Sequence, residues 1–81
     1  MYSIELSKKA KQFIKKIHQK DREAILKKIY SIREEPFRYL KKLQGSKLWR
    51  LRIMKYRAII DVVISNNRIV VLRIGLRKRV Y

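Results

Sequence analysis

The 81-residue chain sets 23 Lys plus Arg against 6 Asp plus Glu, a net charge of +17, and holds no cysteine and one histidine. Disulfide staples, thiolate zinc sites, a cysteine nucleophile and any centre needing two imidazoles are therefore excluded. A domain this basic repels itself, and the usual explanation is a polyanionic partner.

Tyr2, Ile4 and Leu6 alternate with Ser3 and Glu5, the period of a half-buried strand. Ser7 is placed to cap a following helix, in which Ala10, Phe13, Ile14 and Ile17 recur at i, i+3, i+4, i+7 while lysines take the other face. A turn near His18 to Lys20 leads to Asp21, read as a second cap, and Ile25, Ile29 and Ile32 continue a helical stripe. Glu34-Glu35-Pro36 closes that stripe near Ser31 or Glu34, because the residue before proline resists helix. So short a link between two helices predicts an antiparallel hairpin.

The stretch Phe37 to Ser46 is irregular, with Gly45 as a turn residue and Phe37, Leu40 and Leu43 available to tuck under as a helical turn. Leu48–Met54, Tyr56–Ile64 and Arg68–Ile74 read as three strands, the last two joined by Ser65-Asn66-Asn67. The expectation is a single α+β domain over residues 1–81, in the order βααβββ. Its N-terminal strand and two-helix hairpin pack on a mainly antiparallel four-stranded sheet. The segment MYSIELSKKAK lacks an apolar stretch of signal-peptide length, and the run Ala58–Ile64 is broken by Asp61. No membrane segment and a cytoplasmic location are expected.

Charge is uneven along the chain. Residues 1–35 hold 10 basic and 5 acidic side chains, net +5, whereas residues 36–81 hold 13 basic ones and only Asp61, net +12. In Trp49-Arg50-Leu51-Arg52-Ile53 the apolar side chains face one way and both arginines the other. If the helices cover one face, the opposite face carries Arg50 and Arg52, with Arg57 or Arg73 beside them. Arg50, Arg52, Arg57, Arg73 and Arg77, with Lys41, Lys42 and Lys47 nearby, then form a groove for a nucleic-acid backbone, where guanidinium forks clamp phosphate oxygens.

The plainer alternative is a solvated polar sheet face, normally mixed in sign. Here eight basic residues fall from Pro36 to Arg57 without one acid. The C-terminal run Gly75-Leu76-Arg77-Lys78-Arg79-Val80-Tyr81 is either a frayed basic tail or a return across the sheet, with Tyr81 as stacking or proton-donating group. His18 reads as a surface or capping residue, Trp49 and Phe37 as core, and Glu34 and Glu35 as solvated. No metal-ligand spacing, phosphate loop or nucleophile elbow is present, and no cofactor is expected.

The segments Leu43-Gln44-Gly45-Ser46-Lys47-Leu48-Trp49-Arg50-Leu51-Arg52-Ile53, Tyr56-Arg57-Ala58-Ile59-Ile60, Val71-Leu72-Arg73-Ile74-Gly75-Leu76-Arg77 and Val80-Tyr81 together resemble the RelE/ParE superfamily of toxins, nearest to archaeal and bacterial RelE. The resemblance covers nearly the whole chain. It implies a ribosome-dependent endoribonuclease that cuts mRNA in the ribosomal A site and arrests translation. It also implies an acidic, partly disordered RelB-like antitoxin, with operator DNA bound only through the antitoxin complex.

By motif match, Arg50 and Arg52 would hold the substrate and help ionise a ribose hydroxyl. Arg57 and Arg77 would stabilise transition-state charge, and Tyr81 would stack on the substrate or exchange protons with it. Lys41, Lys42, Lys47, Arg73, Lys78 and Arg79 would bind RNA. The chain departs from the pattern at Leu76, where many relatives carry histidine or lysine, and at Arg79, where an acidic or small residue is common; both departures imply attenuated catalysis. A ParE-like DNA gyrase inhibitor and a non-catalytic RNA- or ribosome-binding protein are the alternative readings.

Overall fold

The computed structural model describes residues 1–78; Arg79, Val80 and Tyr81, and with them the expectations placed on Arg79 and Tyr81, lie outside the described residues. Elements follow in the order β1 (Ser3–Leu6), α1 (Lys8–Lys16), α2 (Gln19–Ser31), α3 (Pro36–Tyr39), β2 (Lys41–Lys42), β3 (Trp49–Ile53), β4 (Tyr56–Val63) and β5 (Arg68–Leu76). The sheet runs β1-β5-β4-β3-β2, with β1 parallel to β5 and the other neighbours antiparallel. The α+β class agrees with the sequence reading, and the expected order βααβββ gains the short helix α3 where only a helical turn was expected. The two-residue strand β2 adds a fifth strand to the expected four, because Lys41 and Lys42 pair with Arg50 and Trp49.

Local chemistry accounts for the helix ends. Ser7 Oγ accepts from the Ala10 N–H at 3.1 Å, satisfying an orphan donor of the first turn of α1. The Arg22 guanidinium donates to the carbonyls of Ile14 and Ile17 at 3.1 and 3.3 Å, which closes the other end of α1. Helix α2 begins earlier than the expected Asp21 cap. His18 is its N-cap and accepts the Lys20 N–H on Nδ1 at 3.1 Å. Pro36 opens α3, where a missing N–H costs nothing.

The hairpin α1–α2 covers one face of the sheet. Ala10, Ile14, Ile25, Ile29 and Ile32 meet Leu51, Ile53, Tyr56, Ala58, Ile60, Ile69, Val71 and Ile74 in one buried cluster. Each fully buried isoleucine contributes about 1.5–3 kcal/mol by leaving water. Phe37, expected in the core, is 43% exposed and leans on the half-buried Trp49 with ring centroids 5.0 Å apart. The short α3 carries it past the end of the helix hairpin, so Leu40 and Pro36 fill the interior instead.

Tyr56 ties both helices to β4. Its ring meets Phe13 of α1 edge-on at 5.8 Å, and its hydroxyl donates to the Asp21 carboxylate of α2 at 2.7 Å. That hydrogen bond first, then burial and the Asp21 charge, raise the phenol above its ordinary value of 10.0. A raised folded pKa means stability present below pH 10 and lost as pH climbs through the folded value. Tyr56→Phe is expected to cost about 1.5–3 kcal/mol at neutral pH, the range for a hydrogen bond to a charged group. Urea melts should also show the variant lacking part of the alkaline stability loss of the parent; coincident alkaline profiles would refute the coupling.

Candidate nucleic-acid interface

Cross-strand partners share a face of the sheet, so the register sorts every side chain. Leu51, Ala58 and Ile74 form one row toward the helices. On the opposite face one row reads Lys41, Arg50, Ile59, Arg73 across β2, β3, β4 and β5. The next row reads Arg52, Arg57, Gly75 across β3, β4 and β5. Neighbouring strands are about 4.8 Å apart, and rows on one face are separated by two residues, about 6.8 Å. Five cations therefore stand within two adjacent rows without an acid between them.

Ile59, 6% exposed yet outside the helix-side cluster, is the apolar floor between Arg50 and Arg73. Arg57 is 7% exposed and is the buried charged residue among those described. Arg52 lies directly across from it, an opposition of like charges that destabilises a sheet. The acids of this face stand in the row on the other side of Ile59, where Asp61 and Glu5 flank Val70, and Glu5 pairs with Arg68 at 3.1 Å. A further ion pair, Arg38 to Glu35 at 3.8 Å, also lies outside the cationic rows.

A β-bulge makes this arrangement. Ile59 faces Arg73 and the adjacent Ile60 faces Val71, so Leu72 is an extra residue in β5. Strict alternation from Ile69 and Val71 would point Arg73 into the core. With Leu72 inserted, Ile74 enters the core and Arg73 joins Arg50 on the open face. Ser7 holds the irregularity in place: its N–H donates to the Val71 carbonyl at 2.9 Å and its hydroxyl donates to the Leu72 carbonyl. One serine thus caps α1 and anchors the bulge.

Arg77 and Lys78 follow β5 at the end of the sheet. They line a cavity of about 260 Å³ with Lys55 and Leu76. Arg77 is tied to the β3–β4 turn: its N–H donates to the Lys55 carbonyl at 3.0 Å, and its guanidinium reaches the Met54 carbonyl at 3.5 Å. Met54 holds φ 54, a left-handed conformation usually left to glycine, so this turn stores backbone strain.

The remaining predicted cations lie elsewhere. Lys42 places its ammonium over the Trp49 ring at 4.8 Å, and Lys42 and Lys47 line a separate cavity of about 430 Å³ beside Phe37, Trp49 and Asp61. The structure thus gathers Lys41, Arg50, Arg52, Arg57 and Arg73, sets Arg77 and Lys78 at one end and leaves Lys47 apart, while Lys42 shares a cavity of about 520 Å³ with Arg50. It also brings in Lys28 and Tyr39, which the sequence reading passed over because their proximity depends on how α2 and α3 meet the sheet edge. Among the described residues no cluster of three or more His, Asp or Glu is placed to hold a metal ion, and no helix is long and apolar enough to cross a membrane.

A helix hairpin over a five-stranded sheet whose other face concentrates cations defines a class of small basic α+β proteins. Residues 4–81 match the family model described as ParE toxin of type II toxin–antitoxin system, and the chain belongs to that family within the RelE/ParE superfamily. A comparison with curated protein sequences finds no match. Similar solved structures include a RelBE toxin–antitoxin complex of Mycobacterium tuberculosis, at 20% identity and TM-score 0.87 over 94% of this chain and 98% of that one. Another is the archaeal RelE–RelB complex of Pyrococcus horikoshii, at 22% identity and TM-score 0.82 over 96% and 97%. The intact E. coli RelBE complex is similar at 21% identity and TM-score 0.81 over 98% and 100%.

The opposed arginines yield a direct test. Arg52→Gln is expected to stabilise the isolated protein by about 0.2–1 kcal/mol at low salt, the range for relieving a cross-strand like-charge pair. The gain should vanish in about 1 M salt, where the screening length falls to about 3 Å. Urea melts at the two ionic strengths check this; a gain independent of salt would point to packing instead.

Proposed function

We propose that this toxin is an endoribonuclease that cleaves mRNA in the ribosomal A site and arrests translation, and that an acidic RelB-like antitoxin neutralises it. The observation that carries the reading is Arg57, withdrawn from water at the centre of two rows otherwise built from cations, one isoleucine and one glycine. In such a place a guanidinium acts on developing phosphate charge more strongly than it would in water.

The reaction is an in-line attack of a ribose 2′-hydroxyl on its adjacent phosphate. Such a step needs the hydroxyl deprotonated, the pentavalent phosphate stabilised and the 5′-oxygen protonated. Arg50 and Arg52 grip the backbone and favour the ionised hydroxyl. Arg57 and Arg77 stabilise the extra negative charge, and Lys41 and Arg73 hold the flanking phosphates. Tyr81 stacks on the substrate or exchanges protons with it. Arginine keeps its proton to pH values above about 12, so it acts through geometry and field rather than as an ordinary base. Leu76 carries no exchangeable proton, which leaves the proton transfers to Tyr81 and water and implies a slower nuclease.

Antitoxin capture follows the same electrostatics. A disordered acidic segment is steered to a +17 surface, and its binding adds stability to a small core. The similar RelBE and RelE–RelB structures, which are toxin–antitoxin complexes, support that partner. A second reading, inhibition of DNA gyrase, is favoured by the family model's ParE description.

Regulated expression with primer-extension mapping of cellular mRNA separates the two. Cuts at ribosomal A-site positions support the nuclease, whereas intact mRNA with trapped gyrase–DNA complexes supports the alternative. Arg77→Ala should abolish growth arrest while leaving antitoxin binding nearly unchanged; undiminished arrest would remove Arg77 from the mechanism. The toxin–antitoxin complex should melt well above the isolated toxin, and equal melting temperatures would undo the coupling of capture to stability. Binding of single-stranded RNA should weaken with salt at a log–log slope of about −3 to −4, as for neutralising roughly 4–6 phosphates.

A further inference from the structure

At the outer edge of the sheet β2 pairs only with Trp49 and Arg50, so among the described residues no strand flanks Leu51–Ile53 on that side. Tyr39, the last residue of α3, and Lys28 of α2 stand there instead. With Lys41, Arg50, Leu51 and Arg52 they line a cavity of about 140 Å³. Its walls carry four cations and no acid, and Lys41, Arg50 and Arg52 belong equally to the cationic rows. Tyr39 is 43% exposed, with the Lys28 ammonium 5.1 Å and the Arg38 guanidinium 5.9 Å from its ring centroid.

We propose that this edge cavity is a nucleobase subsite, in which one base of a single-stranded RNA stacks on Tyr39 while its flanking phosphates lie on Lys41, Arg50 and Arg52. The inference deepens the RNA reading above and rests on it. A basic surface with an exposed aromatic at its margin is the arrangement that single strands use, because every base offers a π-face and every linkage a phosphate. The sheet face alone grips only phosphates; Tyr39 adds a contact that depends on a base being present and fixes which nucleotide sits over Arg52 and Arg57.

The Lys28 contact marks the ring as an available platform. An exposed cation–π contact is weaker than base stacking, so the base displaces the ammonium. The freed Lys28 then turns to the phosphate of the same nucleotide. No bond is made or broken; the subsite selects and orients.

The test uses the full chain with a single-stranded oligoribonucleotide carrying 2-aminopurine, and inorganic polyphosphate as a base-free polyanion. The parent protein should quench the probe. Tyr39→Ala should bind the RNA about 5- to 150-fold more weakly, the span equivalent to about 1–3 kcal/mol of stacking per base, and Tyr39→Phe should retain binding. Polyphosphate binding should be no weaker in Tyr39→Ala and Tyr39→Phe than in the parent and the RNA salt slope the same in all three, whereas Lys28→Ala should lower that RNA slope by about one.

Absence of quenching in the parent overturns the subsite, as does an equal loss of polyphosphate binding in Tyr39→Ala. Quenching left unchanged when an acidic protein segment occupies this edge would also overturn it. Cleavage is read separately by primer extension. A chain that quenches the probe but leaves mRNA intact keeps the subsite and loses the nuclease reading; one that cuts mRNA without quenching does the reverse.

Discussion

Ile69, Val71 and Ile74 all face the helices, and no strand with a strict two-residue period can do that. The extra residue Leu72 absorbs the mismatch, and everything on the open face is aligned by it. Without the bulge, β5 would bring Arg73 toward Ala58 and Ile60, where a guanidinium has no water and no carboxylate within the cluster. The anchoring is local. Ser7 lies at the junction of β1 and α1 and bonds to both Val71 and Leu72, so the parallel pairing of β1 with β5 and the start of the helix hairpin share one fixed point with the irregularity.

Segregation then follows as a matter of electrostatics. Four of the six acids lie off this face: Asp21 on the Tyr56 hydroxyl, Glu35 on Arg38, Glu23 near Gln19 and Glu34 at the end of the hairpin. Glu5, paired with Arg68, and Asp61 share the neighbouring row. The like charges that face one another directly, Lys41 with Arg50 and Arg52 with Arg57, cost about 0.2–1 kcal/mol for each pair. A chain of this length buries only about 60–65% of its unfolded surface, so such a sum is a sizeable fraction of its stability. Any polyanion laid across the face removes the repulsion as it binds, and affinity and stability rise together.

Much of this was legible before any coordinates. The alternation of Trp49 to Ile53 puts Arg50 and Arg52 on one side whatever the neighbours do, and the stripe from Ala10 to Ile17 identifies the covering helix. Ser7 was readable as a cap because a hydroxyl before an amphipathic run has few other uses. Its second role was not, since Leu72 lies 65 residues away and a bulge leaves no local signature in a run as uniformly apolar as Ile69 to Leu72. Asp21 misled as a cap for a related reason. Carboxylates cap helices well, but Tyr56 on a distant strand competes for this one, and the imidazole of His18 takes the cap. Phe37 misled because aromatic rings usually mean core, while the half-buried Trp49 provides a ledge outside it.

The chain matches a family model described as ParE toxin and shares its fold with RelE structures, so architecture alone does not choose between gyrase and messenger RNA. The choice falls to the side chains that the register exposes. A protein target would be met best by an apolar centre with a polar rim. Here the centre is inverted: one isoleucine, Ile59, sits low between guanidiniums, and the row beside it ends in Gly75, which contributes no side chain at all. That relief suits a thin, flexible, highly charged chain, whose phosphates reach the arginines while its bases turn outward or over the edge. An RNA strand has this shape and a folded protein surface does not, and on that ground the cationic rows favour the nuclease reading over the gyrase one.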